Sequence, residues 1–440
     1  MADAAARERL AAAIPPHVRA VCQTLAAAGY QAVAVGGAVR DALLGRTPGD
    51  WDIATSAHPA QVTALFKHTV PTGLLHGTVT VVTGRGEASH VEVTTFRGEG
   101  AYTDARRPDH VTFGVPLARD LARRDLRVNA IAYDPAAGTL IDPYDGQNDL
   151  AERRLRAVGP TGNVYEDAVA RFTEDGLRVM RAVRFAAVLE FALDPDTERG
   201  IAPALPSLAK VSKERISDEL RKILDAREPS RALAIAERTG IVALILPELS
   251  RGLDAWAAAL HVERDAAVAR WLARVDAAAP GARLGALVAE LAEPDPTMRR
   301  LDRGSQRGAE AVLRRLKFSN DERTAAAAPL ATSWTDAELR RLLADITRPH
   351  AAAAVALWRA DRATGLADRA AAIALRKDPL AVGELAVTGK DLMAALEMPP
   401  GPGIGRLLAV LLDRVLADPA LNTADQLIAI ARGLELALAR

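Results

Sequence analysis

Near residue 155 the chain changes texture. Short runs that alternate apolar and polar residues, at 31–35, 78–83 and 90–95, give way to long Ala/Leu/Arg stretches with helical spacing. That partition predicts an α+β chain, with strands gathered in the first third and helix following helix to the end, rather than one alternating α/β domain. From Thr173 to Leu189 the apolar positions Leu177, Met180, Val183 and Val188 recur at helical intervals, with Thr173 expected as the N-cap. Turn signals at Asp194-Pro195, Glu228-Pro229-Ser230, Glu293-Pro294-Asp295-Pro296 and residues 399–405 punctuate the helical part, and no repeat of fixed period occurs. The expected divisions are 1–155, 156–228, 229–325 and 326–440.

With 440 residues and 49% hydrophobic content, the chain can give a core to each of about three or four domains of ~100–200 residues. Its 56 basic and 56 acidic residues balance, so affinity for a polyanion has to come from local segregation of charge. A single cysteine, Cys22, excludes an intrachain disulfide framework and cysteine-rich zinc modules, and fits a reducing compartment such as the cytoplasm. Arg7, Glu8 and Arg9 stand where a signal peptide needs apolar residues, and no run of ~18 apolar residues follows. A soluble protein without membrane spans is expected. His261 in His-Val-Glu-Arg-Asp and His350 in Pro-His-Ala lack the adjacent His-Asp pairing of a metal-dependent phosphohydrolase, so no second metal site is expected.

The chemistry is concentrated in three segments of the first hundred residues. Val35-Gly36-Gly37-Ala38-Val39-Arg40 follows an apolar strand and opens an amphipathic helix. Paired glycines at such a junction let backbone N–H groups approach a phosphate, and Arg40 adds a guanidinium fork suited to its oxygens. Asp50-Trp51-Asp52 places two acids at i and i+2, side by side on one face if the segment is a strand, where mutual repulsion favours a hard cation such as Mg²⁺. In His90-Val91-Glu92-Val93, Glu92 faces opposite to its flanking valines. If the strand beside it carries Asp50 and Asp52, three carboxylates converge on two ions ~3.5–4 Å apart, and the reaction class is nucleotidyl transfer.

Gly36-Gly37, Asp50-x-Asp52 and Glu92, in that order, resemble the polymerase-β-like nucleotidyltransferases, and specifically the class II CCA-adding tRNA nucleotidyltransferases. Phe96-Arg97-x-Glu99-x-x-Tyr102-x-Asp104-x-Arg106-Arg107-Pro108 is similar to that family's flexible loop. Arg123-Arg124-Asp125-Leu126-Arg127-Val128-Asn129 is similar to its ribose-sensing segment, and Asp142-Pro143-Tyr144-Asp145-Gly146 to its connector. Glu174-Asp175-x-x-Arg178 resembles its amino-acid template, and Ser212-x-Glu214-Arg215-Ile216 the helix that buttresses it. The likeness runs continuously over the first half and thins to Gly389-Lys390-Asp391-Leu392 and residues 400–405.

The resemblance implies a polymerase-β-like head with a small mixed or antiparallel sheet (1–155), then an all-helical neck (156–228), body (229–325) and tRNA-binding tail (326–440). It implies addition of CCA to the 3′ end of tRNA from CTP and ATP, with Asp50, Asp52 and Glu92 catalytic and Asp50 and Asp52 holding Mg²⁺. Gly37, Arg40, Arg124, Asp125, Asn129, Asp175, Arg178, Arg181 and Arg184 are the implied nucleotide-binding residues. If Asp175 and Arg178 share one helix edge, a carboxylate acceptor and a guanidinium donor meet the amino group and ring nitrogen of cytosine or adenine, and reject uracil and guanine by unpaired oxygens. Arg178, Arg181 and Arg184 form a self-repelling row that needs phosphate or acids to balance it. The clusters Arg299, Arg300, Arg303, Arg307 and Arg314, Arg315, Lys317 are candidates for tRNA phosphates. Rival readings are an A-adding or CC-adding specialist, a poly(A) polymerase, and an RNA-binding protein with an inactive head. The stretch from Pro71 to Val79 lacks the Gly-Arg-Arg-Phe form of the polymerases, and all three carboxylates are present, against the last two.

Overall fold

The three alternating runs become strands of one mixed sheet in a computed structural model that describes residues 2–73, 76–86, 89–99, 111–291, 303–326, 335–345, 351–352, 355 and 364–438. Its contacts divide at residue 245 into two units, Met1–Ile245 and Leu246–Arg440.

The first unit opens with helices α1 (Ala2–Ala13) and α2 (Pro16–Ala27), then strand β1 (Ala32–Val35), helix α3 (Gly37–Leu43), β2 (Asp52–Thr55) and α4 (Pro59–Leu65). Strands β3 (Thr69–Gly73), β4 (Thr78–Val82) and β5 (His90–Thr95) follow, then a ribbon of β6 (Arg97–Glu99) and β7 (Val111–Phe113), helix α5 (Leu117–Ala122), β8 (Ala132–Asp134) and β9 (Thr139–Ile141). The main sheet has the order β3-β4-β5-β2-β1-β8-β9, with β2 and β5 parallel and every other neighbouring pair antiparallel. Val33, Val35 and Ala54 on one face pack with Phe96, Leu117, Leu121 and Val158 into a hydrophobic core, and β1 is buried along its whole length, as a strand covered on both faces is.

Beyond this sheet the unit is helical apart from the two-residue strands β10 (Arg154–Leu155) and β11 (Ala192–Leu193), which pair in parallel. Helix α6 (Gly146–Glu152) leads to α7 (Val164–Glu174) and α8 (Leu177–Leu189). Then come α9 (Pro195–Arg199), α10 (Ile201–Ala209), α11 (Lys213–Leu224), α12 (Ser230–Arg238) and α13 (Ile241–Ile245). Asn163 caps α7, its side chain accepting from the backbone N–H groups of Tyr165 and Glu166.

The periodic stretch from Thr173 to Leu189 is not one helix. Thr173 lies inside α7, and the chain breaks at Asp175-Gly176, where the Asp175 side chain accepts from the Leu177 N–H. The cause is close packing against α10: a Cβ on Gly176 would lie 2.3 Å from the Leu208 nitrogen and 2.4 Å from the Ser207 carbonyl. Val188, expected in the apolar row, is 39% exposed, while Leu177, Met180 and Val183 are buried.

In the second unit the described residues outside short turns are helical. Helices at Pro247–Leu260, Arg264–Ala277, Arg283–Val288, Arg303–Arg315 and Asn320–Ala326 come first. The last part holds Asp336–Asp345, Thr364–Leu375, Gly389–Leu396, Pro402–Ala417 and Ala424–Leu438, with Arg340 buried and donating to the carbonyls of Leu416 and Ala417 at the end of one of them. Thr388 and Asp391 cap the Gly389–Leu396 helix reciprocally. No helix among the described residues is long and apolar enough to cross a membrane.

Because the neighbours of Gly176 are backbone atoms that cannot swing aside, Gly176→Ala is expected to destabilise the protein by about 3 kcal/mol. Gly308→Ala, in a helix with nothing within 4 Å of the new methyl, is expected to gain about 0.5–1 kcal/mol. Denaturant midpoints of the two variants check the pair.

Candidate active site

Strand register does the first part of the work. Val35, Asp52, Glu92 and Thr80 stand abreast across β1, β2, β5 and β4, each directly opposite the next. Residues opposite one another in a ladder point to the same face, so Asp52 and Glu92 are neighbours at roughly the 5 Å interstrand spacing. Glu92 is exposed between the buried Val91 and Val93, as its alternation requires. Asp50 differs from expectation: β2 begins at Asp52, so Asp50 precedes the ladder instead of sharing a strand face with it. It still acts on Asp52 through its charge.

The Asp52 carboxyl opens onto a cavity, and its surroundings push its pKa up to about 6. Burial is the largest cause; Arg124 opposes it, and Glu92 and Asp50 reinforce it. Among the described residues no three histidine, cysteine, aspartate or glutamate side chains stand arranged as a finished metal cage. The donor chemistry fits a hard divalent cation nonetheless: oxygen ligands on adjacent strands, and a carboxylate whose charge is unfavourable until a cation offsets its neighbours.

Beside these acids the chain leaves β1 through Gly36, whose φ of +80° favours glycine. A Cβ there would come within 3.0 Å of the Arg124 Nη1 and 3.8 Å of the Asp52 Oδ2, so the bare glycine lets guanidinium and carboxylate approach across it. Gly37 is less constrained, with only the Arg40 Nη2 at 3.6 Å. Arg124, just past α5, lies 3.7 Å from Asp120, and its burial lowers its pKa.

The cavity measures about 790 Å³ and is lined by Arg40, Arg97, Arg123, Arg124, Arg178, Arg181, Arg184 and Arg215 against Asp52, Asp125 and Asp175. Gly36, Gly37, His76, Asn129, Leu177, Phe185 and Val188 complete the wall. Its volume suits a ligand of nucleotide size, and its excess of fixed guanidinium donors suits a polyanion.

The arginine row on α8 has found its balance in acids. Arg178 pairs with Glu174 at 2.7 Å and also donates to the Arg171 carbonyl; Arg181 pairs with Asp125 at 2.7 Å; Arg184 meets Glu219 of α11 at 3.1 Å. Asp125 is buried, which alone would raise its pKa, but Arg181, the Asn129 amide and Arg178 outweigh burial and hold it well below the usual carboxylate range. Asn129, in a single 3₁₀ turn, donates to Asp125 at 2.9 Å and accepts from Arg40 at 2.6 Å.

Asp175 and Arg178 do not share a helix edge as expected. Asp175 sits in the break before α8, and its carboxyl is held by Arg215 of α11, Nη2 to Oδ2 at 3.0 Å. Helix α11 thus buttresses this residue, as the resemblance implied. Sequence reasoning did not single out Phe185, whose ring is approached by the guanidinium carbons of Arg184 at 4.3 Å, Arg40 at 5.0 Å and Arg181 at 5.5 Å. The only available signal was its place next to Arg184 in an otherwise arginine-spaced helix. His76 and Arg123 were likewise missed as lining residues.

Most of the loop, at 100–110, lies outside the described residues, although its described ends pair as β6 and β7, with Glu99 opposite Val111. Arg299 and Arg300 lie outside them too, as do the side chains of Arg303 and Arg307. Arg314 and Arg315 pair with Glu310 and Glu248 at 2.9 and 2.7 Å.

Comparison with known proteins agrees with this geometry. The Poly A polymerase head domain family matches residues 32–156, a model for an RNA- and SrmB-binding segment of polymerase A matches 190–253, and tRNA nucleotidyltransferase domain 2 matches 303–431. A CCA-adding enzyme of Geobacillus stearothermophilus is 48% identical over 233 residues, which are 52% of this chain and 55% of that protein. One of Lactococcus lactis subsp. lactis is 47% identical over 212 residues, 48% of this chain and 51% of that one. The chain thus spans about half the length of the curated relatives it matches. The crystal structure of the Bacillus stearothermophilus CCA-adding enzyme in complex with CTP is similar over 97% of this chain and 99% of that chain, at 30% identity and a TM-score of 0.67.

The raised carboxyl of Asp52 makes a signed pH prediction for metal-free protein. Between 3.8 and about 6 the folded state holds more protons than the unfolded, so stability falls as pH climbs through that window and the loss is complete above it. Asp52→Asn is therefore expected to stabilise metal-free protein by about 1 kcal/mol above pH 6, a value reduced for the carboxyl's access to solvent, and by nothing below about pH 4. Urea midpoints at the two pH values decide it, and an equal gain at both contradicts the assignment.

Proposed function

This chain belongs to the CCA-adding tRNA nucleotidyltransferase family, and from that premise we propose that it adds CCA to the 3′ end of tRNA from CTP and ATP, releasing pyrophosphate. The observation that carries the reading is Asp52, in register with Glu92 on the neighbouring strand and itself lining a cavity that holds eight arginines. A carboxylate ladder and a guanidinium-rich cavity, the two parts such a reaction needs, lie in one unit of the fold.

In this reading Asp50, Asp52 and Glu92 are the catalytic acids, and Asp50 and Asp52 hold Mg²⁺. Held there, a magnesium ion would supply the positive charge that lowers the pKa of the attacking hydroxyl and offsets the charge of the leaving pyrophosphate. The other steps fall to the chain's own side chains. Gly36 and Gly37 open the backbone toward the triphosphate, and Arg124, Arg181 and Arg184 contact the nucleotide, with charges fixed in advance by buried acids. Asp125 and Asn129 face the sugar. Asp175, steadied by Arg215, accepts from the exocyclic amino group of cytosine or adenine while Arg178 donates to the ring nitrogen; uracil and guanine set oxygen against carboxylate. Residues 1–155 form the head, 156–228 the neck, 229–325 the body and 326–440 the tail, the last contacting tRNA by its backbone. The single, buried Cys22 accords with a cytoplasmic protein.

Two experiments test the proposal. Incubated with tRNAs ending before, between and after the two cytidines and with each triphosphate singly, the protein is expected to add C, C and A in turn and to refuse UTP and GTP. Acceptance of ATP alone, on the last substrate only, marks an A-adding specialist; long adenosine tails mark a poly(A) polymerase. Asp52→Ala is expected to lower incorporation by at least about 10³-fold while tRNA binding, measured by filter retention, stays within about twofold. Retained activity in that variant refutes the catalytic assignment.

A further inference from the structure

Arg40 was expected to bind phosphate, yet its guanidinium is turned elsewhere. Its Nε and Nη2 lie 2.9 and 3.0 Å from the two carboxylate oxygens of Asp41, its plane rests 5.0 Å from the Phe185 ring centroid, and its Nη1 donates to the Asn129 Oδ1 at 2.6 Å. The opposite end of the same amide donates from Nδ2 to the Asp125 Oδ1 at 2.9 Å. Arg40, Asp125 and Asn129 are all buried, at 7%, 4% and 5% exposure, so these bonds are not exchanged freely with water.

Chemistry leaves that amide one orientation. Arginine has donors and no acceptor, so the group facing Arg40 has to be the carbonyl. Asp125, held ionised by Arg181, has acceptors and no donor, so the group facing it has to be the NH₂. A 180° flip would set NH₂ against guanidinium and carbonyl against carboxylate, leaving four buried polar groups mismatched. What remains for a ligand is one Nδ2 hydrogen and one Oδ1 lone pair, both aimed by their neighbours.

We propose that Arg40 is a positioning residue for sugar selection: braced by Asp41 and Phe185, it fixes the carbonyl end of Asn129 so that the amide meets a 2′-hydroxyl in one geometry. The inference rests on the reading above that Asn129 faces the sugar, and it adds that Arg40 acts through Asn129 rather than on the triphosphate. A sugar lacking the hydroxyl leaves the aimed amide groups unpaired in a buried site, and this penalty is large only while the amide is held.

The test compares kcat/KM for CTP and for 2′-deoxy-CTP on tRNA lacking its last two or three nucleotides. Arg40→Met keeps an apolar stem against Phe185 but gives Asn129 no donor, and is expected to lower the ribose preference about tenfold by loss of CTP turnover, with little change for the deoxy substrate. Arg40→Lys restores a single donor without the fork and is expected to recover part of the preference. Asn129→Ala should lose at least as much as Arg40→Met, and the double variant should lose no more than Asn129→Ala alone, the non-additivity of residues acting in series. If Arg40→Met slows both substrates equally, or if its effect adds fully to that of Asn129→Ala, Arg40 acts on the phosphates or the fold and the proposal is overturned. If Asn129→Ala itself leaves the preference intact, the sugar-facing reading fails instead. Should Arg40→Met melt below the assay temperature, the Arg40→Lys and double-variant arms, with Arg40→Leu, which likewise has no donor, in place of Met, decide the matter.

Discussion

The carboxylate of Asp125 is the constraint on which the nucleotide-sized cavity depends. A buried charge is tolerated only when paired and hydrogen-bonded, and the partners that satisfy this one come from different parts of the fold: Asn129 beside it in the sheet-bearing part, Arg181 on α8. Losing either partner strands a buried charge, so the ion pair fixes where α8 lies against the sheet. Arg178 and Arg184 ride on the same helix, and their positions follow.

The arrangement separates two electrostatic tasks. On the arginine side every charge on α8 already has an acid, so donors are held in place before a ligand arrives and reorganise little when it does. On the carboxylate side the opposite holds: Asp52, crowded by Glu92 and Asp50 and partly buried, carries a charge that is unfavourable as it stands. One wall is pre-satisfied and the other is poised for a cation. That asymmetry is what a site needs if it is to seat a polyanion without becoming trapped by it.

How far the sequence foretold this depends on the range of each interaction. Glu92 between two valines was legible because strand alternation is local, and so was the mixed sheet ahead of a helical remainder. Register is not local: nothing in the sequence alone sets Asp52 opposite Glu92, forty residues apart, and the expectation rested on their order together with the family likeness. Asp50 was misplaced because the strand starts two residues later than i, i+2 logic assumed. The helix from Thr173 misled because apolar spacing continues through a break imposed by α10 pressing on Gly176, a contact made by residues thirty positions away. Phe185 escaped notice in part for the same reason: Arg181 and Arg184 lie on its own helix, but Arg40 reaches its ring only when α3 and α8 meet. The self-repelling arginine row was readable as a problem, and one of its three solutions, Glu174, was close in sequence; Asp125 and Glu219 were not.

The break between α7 and α8 carries a mechanical consequence. Arg178 is the second residue of α8, whereas Asp175 occupies the joint itself and is tethered to α11 by Arg215. Bending at that joint would alter the spacing between acceptor and donor without unwinding either rod. On the proposed reading of the base by Asp175 and Arg178, such a joint would let one pair of side chains gauge two rings of different size, as calipers gauge different widths with the same two jaws.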